Sequence, residues 1–279
     1  MWDQIQIRTS GPSPDVPAAC LIYLPGLHGD WTLVGSFKAA LASRTFRSKV
    51  RFVEITYPRT TTWTVTDYAN AVLKALHEAG ITRGWLLAES FGSQIGWEIL
   101  RLASSQSQSG SFSPNALILA GGFVRHPMRW IIPITQRLNR AIPLRGLAAI
   151  CSLYAFYARF RHRHAPETLI GVKEFVKNRG EEGDRRAIAH RYTLILENDF
   201  CDIARSTTVP IYQLTGFFDP VVPWIFVRRW LKRNCPSYAG WKLIWRADHN
   251  VLGSAPAAAA HQVLEWMHRK HLPHRFEQL

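Results

Sequence analysis

Residues 85–96 read WLLAESFGSQIG, and this stretch decides how the rest of the chain is interpreted. Its first four residues, 85–88, form an apolar run of the length expected of a fully buried strand. After Gly92, apolar side chains recur at mixed helical spacing, beginning with Ile95. The stretch therefore predicts a strand that passes directly into a helix, with Ser90 at the turn.

The residues around Ser90 match the nucleophile-elbow pattern G-x-S-x-G, except that Ala88 stands where the first glycine is usual. Small residues are needed on both sides because the serine of such an elbow lies on a sharp, strained turn. The turn also directs N–H groups at the start of the helix towards any negative charge that develops beside the serine. The motif predicts that Ser90 is a nucleophile; the alternative is a chance match around an ordinary turn serine.

Strand-like and helical segments alternate over residues 1–122 and again over 209–279. This alternation predicts a mostly parallel central sheet with helices on both faces. Residues 123–208 instead show mainly helical spacing, which predicts an inserted helical cap. We therefore expect an α/β core made of 1–122 and 209–279, and a cap made of 123–208.

The individual elements follow from apolar runs, caps and turn residues. The predicted strands cover 4–8, 20–24, 50–56, 85–88, 116–120, 210–214 and 240–245. The predicted helices cover 31–43 with Asp30 as its cap, 67–79, the segment from the elbow to about 104, 223–232 and 254–270.

A serine nucleophile needs a base to take its proton, and the base needs an anion to orient it. In an open α/β sheet these partners come from loops at the carboxyl ends of later strands. Asp219 and His249 each follow such a strand, and the chain order Ser, Asp, His is the expected one. Because Asp219 precedes a proline, it also suits a plain turn. Asp202 and Asp248 therefore remain alternatives for the acid.

Acyl transfer also needs two backbone N–H donors for the oxyanion that forms at the attacked carbonyl. We expect one donor to be Phe91, which follows the serine, and the other to lie in the loop PGLHGD at 25–30. Leu27 is the preferred donor in that loop, with His28 as the alternative and Asp30 if the His-Gly pair sets the register. The residues expected to contact substrate are Gly26, His28 and Phe123.

These motifs together resemble those of the α/β-hydrolase superfamily over nearly the full length of the chain. The resemblance is carried by LPGLHGD at 24–30, AESFG at 88–92, TGFFDPVVP at 215–223 and ADHNVL at 247–252. More narrowly, the chain is similar to bacterial single-domain hydrolases with an E-S-F elbow, an F-V-R-x-P entry to the cap and a P-H-x-x-L histidine loop. It departs from that group at Ala88, at the order Gly-Ser in 92–93, and at Asp248 before the histidine.

The resemblance implies an α/β-hydrolase fold and hydrolysis of an ester, thioester or amide. Among these we expect a serine hydrolase that cleaves a carboxylic ester through an acyl-enzyme on Ser90. A thioesterase or acyltransferase with the same triad is the alternative, and a non-catalytic protein of this fold that binds membrane through its cap is a third hypothesis. The expected partner is a small-molecule acyl substrate. We expect no cofactor and no metal, since the sequence has no phosphate loop or dinucleotide fingerprint, and His162 and His164 suit a solvated face.

The formal net charge of +14 raises the expectation of an anionic partner. The charge is concentrated, because residues 123–166 contain eight arginines and neither Asp nor Glu. An apolar run at 146–158 lies among them. Two interpretations follow: a cap that contacts an anionic membrane, or apolar residues that line the pocket beneath solubilising arginines. Nucleic acid is not expected as a partner.

The cysteines indicate a reducing compartment, because they are far apart and form no C-x-x-C pair. The N-terminal residues lack the pattern of a signal peptide, and no apolar run is long enough to span a bilayer. We therefore expect a cytoplasmic protein, peripheral to a membrane if the cap binds one. The cysteines expected to be free thiols are Cys20, Cys151, Cys201 and Cys235.

Overall fold

The structure is a computed structural model that describes residues 4–12, 18–43, 50–105, 112–143 and 181–269, with the single positions 146, 149, 153 and 156. Its strands are β1 (Gln6–Ser10), β2 (Ala19–Leu24), β3 (Val50–Thr56), β4 (Arg83–Glu89), β5 (Ser113–Ala120), β6 (Ile211–Phe218) and β7 (Tyr238–Asp248). They form one sheet in the order β1-β3-β2-β4-β5-β6-β7. Every neighbouring pair is parallel except β1 with β3. The predicted mostly parallel sheet is confirmed.

The helices of the described residues cover both faces of this sheet. They are α1 (Gly35–Ala42), α2 (Val65–Glu78), α3 (Gly92–Ser105), α4 (Ile132–Ala141), α5 (Glu182–Glu197), α6 (Cys201–Ser206), α7 (Trp224–Asn234), α8 (Val251–Ser254) and α9 (Pro256–His268). Side chains alternate along β2, so that Ile22 and Leu24 join the apolar layer under α2 and α3. Leu21 and Tyr23 join the opposite layer, which is closed by α1 and α9.

The predicted helix at 31–43 is wrong at its start, because α1 begins only at Gly35. Asp30 does not cap it, since its Oδ1 accepts hydrogen bonds from the Thr32 N–H and hydroxyl group at 2.9 and 2.5 Å. These two hydrogen bonds hold residues 30–32 in a turn, and the N-terminus of α1 has no side-chain cap. The predicted last helix is also divided, because Ala255, with φ −142°, separates α8 from α9.

The strands β6 and β7 extend further than the sequence predicts, to Phe218 and Asp248. Their parallel register pairs Phe218 with Asp248. The residues that follow the two strands, Asp219 and His249, therefore emerge side by side at the carboxyl edge of the sheet. This register is what brings the predicted acid and base to one place.

Between β5 and β6 the described residues form a 3₁₀ turn (Arg129–Ile131), α4, α5 and α6. Helices α4 and α5 are joined by Gln136, whose Nε2 donates to the Ala189 carbonyl at 3.2 Å and contacts the Thr193 hydroxyl oxygen at 3.0 Å. Most of the apolar run at 146–158 lies outside the described residues, as do its flanking arginines, Cys151, and the histidines at 162 and 164. The division of the chain into core and cap stays a prediction.

Three of the cysteines fall in the described part, and all three are free thiols, as predicted: Cys20, Cys201 and Cys235. Burial raises the pKa of the Cys235 thiol to about 11, so that thiol is protonated at neutral pH. Among the helices that the structure describes, none combines the length and the apolar character needed to cross a membrane.

Candidate active site

Ser90 lies on the tight turn between β4 and α3. Its φ of +48° is in the left-handed region, and no other non-glycine residue in the described ranges has a positive φ. Such a conformation costs about 1–3 kcal/mol and persists where the surrounding structure enforces it, often at functional sites. Here the Ser90 N–H donates to the Ala120 carbonyl at 3.1 Å, and the Ser93 N–H donates to the Ser90 carbonyl at 2.9 Å.

The small residues that flank Ser90 are required by close packing. A Cβ added to Gly92 would collide with the carbonyl oxygen of Leu24, which is backbone and has little room to move. The methyl group of Ala88 faces α3, where a Cβ added to Gly96 would lie 3.5 Å from it. Alanine at 88 therefore fits, whereas a longer side chain would push α3 away from the sheet.

Ser93 connects the elbow to the segment after β5, a role that the sequence did not indicate. Its hydroxyl donates to the Ser90 carbonyl at 2.6 Å and accepts from the Phe123 N–H at 3.1 Å. The Phe123 carbonyl in turn accepts from the indole N–H of Trp97 at 3.0 Å. Phe123, predicted to contact substrate, is 1% exposed and packs in the apolar layer beside the elbow.

Ser90, His249 and Asp219 form a continuous hydrogen-bonded chain. The Nε2 atom of His249 lies 2.9 Å from the Oγ of Ser90, and its Nδ1 lies 2.9 Å from the Oδ2 of Asp219. Because a carboxylate only accepts, the neutral imidazole carries its proton on Nδ1 and presents the Nε2 lone pair to the serine hydroxyl. The geometry thus puts a base against Ser90 and an anion against the base.

The environment of Asp219 keeps its carboxylate in place. The side chain is buried, and its Oδ1 accepts from the backbone N–H groups of Val221 and Val222 at 2.9 and 2.8 Å, which leaves Oδ2 for His249. Burial opposes protonation of His249, but the hydrogen bond and the charge of Asp219 outweigh burial and raise the pKa of the imidazole. An imidazolium formed at His249 is therefore stabilised by the pair.

The two alternative acids lie elsewhere. Asp248 accepts from the Asn250 N–H at 3.0 Å and so shapes the loop that holds His249. Asp202 is on α6, where its carboxylate is 99% exposed and pairs with Arg205 at 2.8 Å. Of the three aspartates, Asp219 is the one in contact with the histidine.

The loop at 25–30 lies against the elbow. A Cβ added to Gly26 would lie 3.4 Å from the Cβ of Ser90, and the Gly29 N–H donates to the Gly26 carbonyl at 3.0 Å to close the turn. Within the described residues, the backbone N–H groups of Leu27 and Phe91 have no hydrogen-bond acceptor. This fits their expected role, and the assignment of both N–H groups as oxyanion donors stays a prediction.

His28 turns towards a buried carboxylate that precedes the nucleophile. Its Nε2 lies 3.9 Å from the Oε2 of Glu89 and 3.5 Å from the hydroxyl oxygen of Tyr23. The Tyr23 hydroxyl donates to Glu89, which is 4% exposed. Burial and the adjacent carboxylate raise the pKa of Tyr23, so it stays a hydrogen-bond donor. Glu89 is not among the site residues predicted from the sequence, although a carboxylate at the end of an otherwise apolar strand is an unusual signal.

Arg191 of α5 anchors the same loop from the opposite side. Its side chain is buried, and its Nη1 donates to the Leu27 carbonyl at 2.7 Å while its Nη2 donates to the Pro58 carbonyl at 2.9 Å. The guanidinium also lies 5.7 Å from the ring centroid of Tyr57, within cation–π range. No sequence signal reveals this contact, because 164 residues separate Arg191 from Leu27.

His126 is a buried histidine near the catalytic candidates. Its ring centroid lies 4.9 Å from that of Phe123, and its Nδ1 accepts from the Met128 N–H at 3.2 Å. Burial, helped by the neighbouring His249 and opposed in part by Asp219, lowers the pKa of His126 to about 4. At neutral pH His126 is therefore uncharged and forms a polar but neutral part of the site.

The described residues contain no group of three or more His, Cys, Asp or Glu side chains arranged to hold a metal ion.

Comparison with known proteins gives structural but no sequence-level matches: no family model and no curated protein matches the chain. An α/β-hydrolase enzyme from a Medee basin deep-sea metagenome library superposes with a TM-score of 0.74 at 13% identity, over 98% of this chain and 97% of that one. The enol-lactonase of Burkholderia xenovorans gives 0.71 at 17% identity, over 95% and 96%. A thermophilic esterase from Thermogutta terrifontis gives 0.69 at 16% identity, over 94% and 92%. The chain therefore has the α/β-hydrolase fold.

Proposed function

We propose that the chain is a serine hydrolase that cleaves a carboxylic ester through an acyl-enzyme on Ser90. The observation that carries the proposal is the unbroken sequence of contacts from Ser90 Oγ through His249 to Asp219, with both distances at 2.9 Å. The strained backbone at Ser90 supports the same assignment, because strain of this kind is retained where a function requires it.

In the first step the Ser90 hydroxyl attacks the ester carbonyl while Nε2 of His249 takes its proton. The imidazolium that forms is stabilised by Asp219, which already raises the pKa of the ring. The negative charge that develops on the carbonyl oxygen is accepted by the N–H groups of Leu27 and Phe91. These donors are backbone groups in a turn that is fixed in advance, so they need little reorganisation during the reaction.

The tetrahedral intermediate collapses when His249 gives its proton to the leaving alcohol, and the acyl group stays on Ser90. Water then attacks the acyl carbonyl while His249 takes one of its protons, which forms a second tetrahedral intermediate. This intermediate collapses as the bond between the acyl carbon and Ser90 Oγ breaks, His249 returns the proton to Oγ, and the carboxylic acid leaves. Gly26 and His28 lie in the loop that borders the attacked carbonyl, and we assign them to the substrate-contacting wall of the site.

An ester is the favoured substrate because structures with this fold include a thermophilic esterase from Thermogutta terrifontis and an esterase from Exiguobacterium antarcticum. Residues 123–208 are proposed to act as the cap over the site. The described helices α4 and α5 support this assignment, since α5 delivers Arg191 to the loop at 25–30.

The experiment is a set of p-nitrophenyl esters of graded acyl length, assayed with wild type and with Ser90→Ala. Ser104→Ala is the matched control, because Ser104 is an exposed serine at the end of α3 whose hydroxyl donates to the Arg101 carbonyl and has no other hydrogen bond to the described residues. We expect Ser90→Ala to abolish turnover and Ser104→Ala to leave it unchanged. Equal activity in wild type and Ser90→Ala would overturn the proposal.

The alternative uses of the same triad are separated by changing the acceptor or the leaving group. Acyl transfer to added alcohol at the expense of hydrolysis identifies an acyltransferase, and a higher kcat/KM for the thioester of the same acyl group identifies a thioesterase. Preference for water and for the oxygen ester supports the function proposed here.

A further inference from the structure

A cavity of about 510 Å³ lies between the segment that follows β5 and the outer face of α7. A volume of this size is ordinary for a small-molecule site. One wall is residues 124–130, and the other is a helical stripe in which Phe226, Trp230 and Arg233 recur at three- and four-residue spacing. We call it the arginine cavity.

The charges that line the arginine cavity are all positive. It is bordered by Arg125, Arg129, Arg229 and Arg233, and none of the lining residues is Asp or Glu. Arg125 is paired with Asp199 at 3.1 Å. Within the described ranges Arg129, Arg229 and Arg233 have no carboxylate partner. Arginines elsewhere do have one: Arg101 pairs with Glu98 on α3, and Arg205 pairs with Asp202 on α6. Judged from the part of the chain that the structure describes, the cavity therefore presents three guanidinium groups without a carboxylate partner.

The apolar part of the lining is exposed to an unusual degree. Trp130 is 68% and Phe226 is 60% exposed, although both are large aromatic side chains. Exposed apolar surface at the edge of a concave site indicates a ligand-binding or interaction surface. Combined with the arginines, it is complementary to a molecule with an apolar body and an anionic head. Guanidinium groups suit such a head because they bind carboxylate and phosphate oxygens in pairs.

The inner wall of the cavity connects it to the proposed catalytic centre. His126 lines the cavity and stacks edge-on against Phe123, which is bonded to the elbow through Ser93. His126 is also close enough to His249 and Asp219 to respond to their charges. A molecule in the cavity would thus contact His126, which packs on the segment that is bonded to the elbow.

We propose that the arginine cavity is a binding site for one amphipathic anion, whose carboxylate or phosphate head is held by Arg129, Arg229 and Arg233 and whose apolar body packs on Trp130 and Phe226. A single molecule fits better than a bilayer because the surface is concave and enclosed on two sides by the segment 124–130 and α7. The site goes beyond the proposed hydrolysis and does not depend on it, since binding needs no turnover.

The test is isothermal titration of the full-length protein with decanoate and with decyl phosphate, below the concentrations at which they form micelles. Decyltrimethylammonium and decanol serve as cationic and neutral counterparts, and inorganic phosphate serves as a head without a body. The binding variant is Arg229→Gln/Arg233→Gln. Its matched control is Arg137→Gln/Lys232→Gln, which removes the same charge from exposed positions on α4 and α7 that do not line the cavity.

We expect one decanoate or decyl phosphate to bind per chain, and the binding variant to weaken both by about tenfold or more. The control should change affinity by no more than about twofold. An equal loss in both double variants would overturn the proposal in favour of unspecific attraction by net charge. Equal binding of the cationic or neutral decyl compounds would overturn it too. Binding to anionic vesicles without binding to the monomeric amphiphiles would replace it by a membrane-facing surface.

Discussion

Replacing Arg191 by methionine tests whether a buried cation holds the loop that is proposed to supply an oxyanion donor. Methionine has a similar length and keeps the apolar packing, but it removes both hydrogen bonds to the carbonyls of Leu27 and Pro58. The Leu27 carbonyl belongs to the peptide bond just after the N–H that is proposed to face the oxyanion. A shift of this carbonyl therefore displaces the proposed donor.

The size of the effect follows from the two contacts. Hydrogen bonds from a charged group contribute about 1.5–3 kcal/mol each, so the pair accounts for roughly 3–6 kcal/mol. Removing a buried cation relieves part of its desolvation cost, which leaves a net loss of about 2–4 kcal/mol in the free energy of unfolding. For a chain of this length the melting temperature should fall by roughly 5–15 °C. We expect kcat to fall by roughly 10- to 100-fold, less than the loss of a complete oxyanion donor, with KM changed less.

The assay combines thermal unfolding with steady-state kinetics on a p-nitrophenyl ester at a temperature where all variants are folded. Arg186→Met is the matched control, because Arg186 is on the same helix, is 71% exposed and, among the described residues, pairs only with Glu182. Arg191→Lys keeps the charge but lacks the two guanidinium NH₂ groups that reach both carbonyls. Its kcat should therefore lie between those of wild type and Arg191→Met. A lower melting temperature with unchanged kcat would refute the loop-positioning role and leave only a structural one.

Three further predictions address the triad and its support. In wild type, kcat/KM should rise with pH through a midpoint above the ordinary histidine pKa of 6.5, because hydrolysis needs neutral His249 and Asp219 raises the pKa of that histidine. Asp219→Asn should move this midpoint to lower pH and reduce kcat by roughly 10³–10⁴-fold. A pH–rate profile of both proteins would measure these changes. Gly92→Ala should lower both the melting temperature and kcat, because its Cβ meets the Leu24 carbonyl, while Gly35→Ala, whose Cβ meets nothing within 4 Å, should leave both unchanged. Tyr23→Phe should lower the free energy of unfolding by about 1.5–3 kcal/mol in urea titrations, because it removes the donor to the buried Glu89 carboxylate; no change would contradict the assigned bond.

The raised pKa of His249 also sets the pH dependence of stability. The imidazolium is stabilised in the folded state, so the pair contributes fully to the free energy of unfolding below the unfolded pKa of about 6.5. That contribution is lost as the pH rises through the higher, folded pKa. Activity and this part of the stability should therefore change in opposite directions with pH. Asp219→Asn should remove this pH-dependent part of the free energy of unfolding. Urea titrations of both proteins at two pH values would measure it.

The strands of the sheet, and the positions of the predicted site residues at strand ends, could be predicted because both depend on local sequence. Buried strands such as 20–24 are short apolar runs, and the predicted strand 50–56 has the bounds of β3. Asp219 and His249 were identified because they follow strands, and a parallel sheet brings all such strand ends to one edge. The extension of β6 and β7 is not predicted, since the added residues include Gly216 and Asp248, types that are depleted in strands.

Contacts between distant segments could not be predicted. Arg191 gave no signal, because an arginine in a polar helix is ordinarily exposed and its acceptors here are backbone carbonyls that no sequence pattern marks. His126 was recognised only as part of the F-V-R-x-P entry, and its closeness to His249 depends on how that segment packs on Phe123. The prediction that Asp30 caps a helix is wrong, because its carboxylate accepts the local hydrogen bonds from Thr32 instead of capping the helix.

The central claim is that Ser90 is a nucleophile activated by His249, and the most direct measurement is covalent labelling by a fluorophosphonate followed by peptide mass spectrometry. We predict one phosphonyl group per chain, located on Ser90, with the labelling rate greatly reduced in His249→Ala and unaffected in Ser104→Ala. Labelling at another residue, or an unlabelled Ser90 in folded protein, would contradict the account.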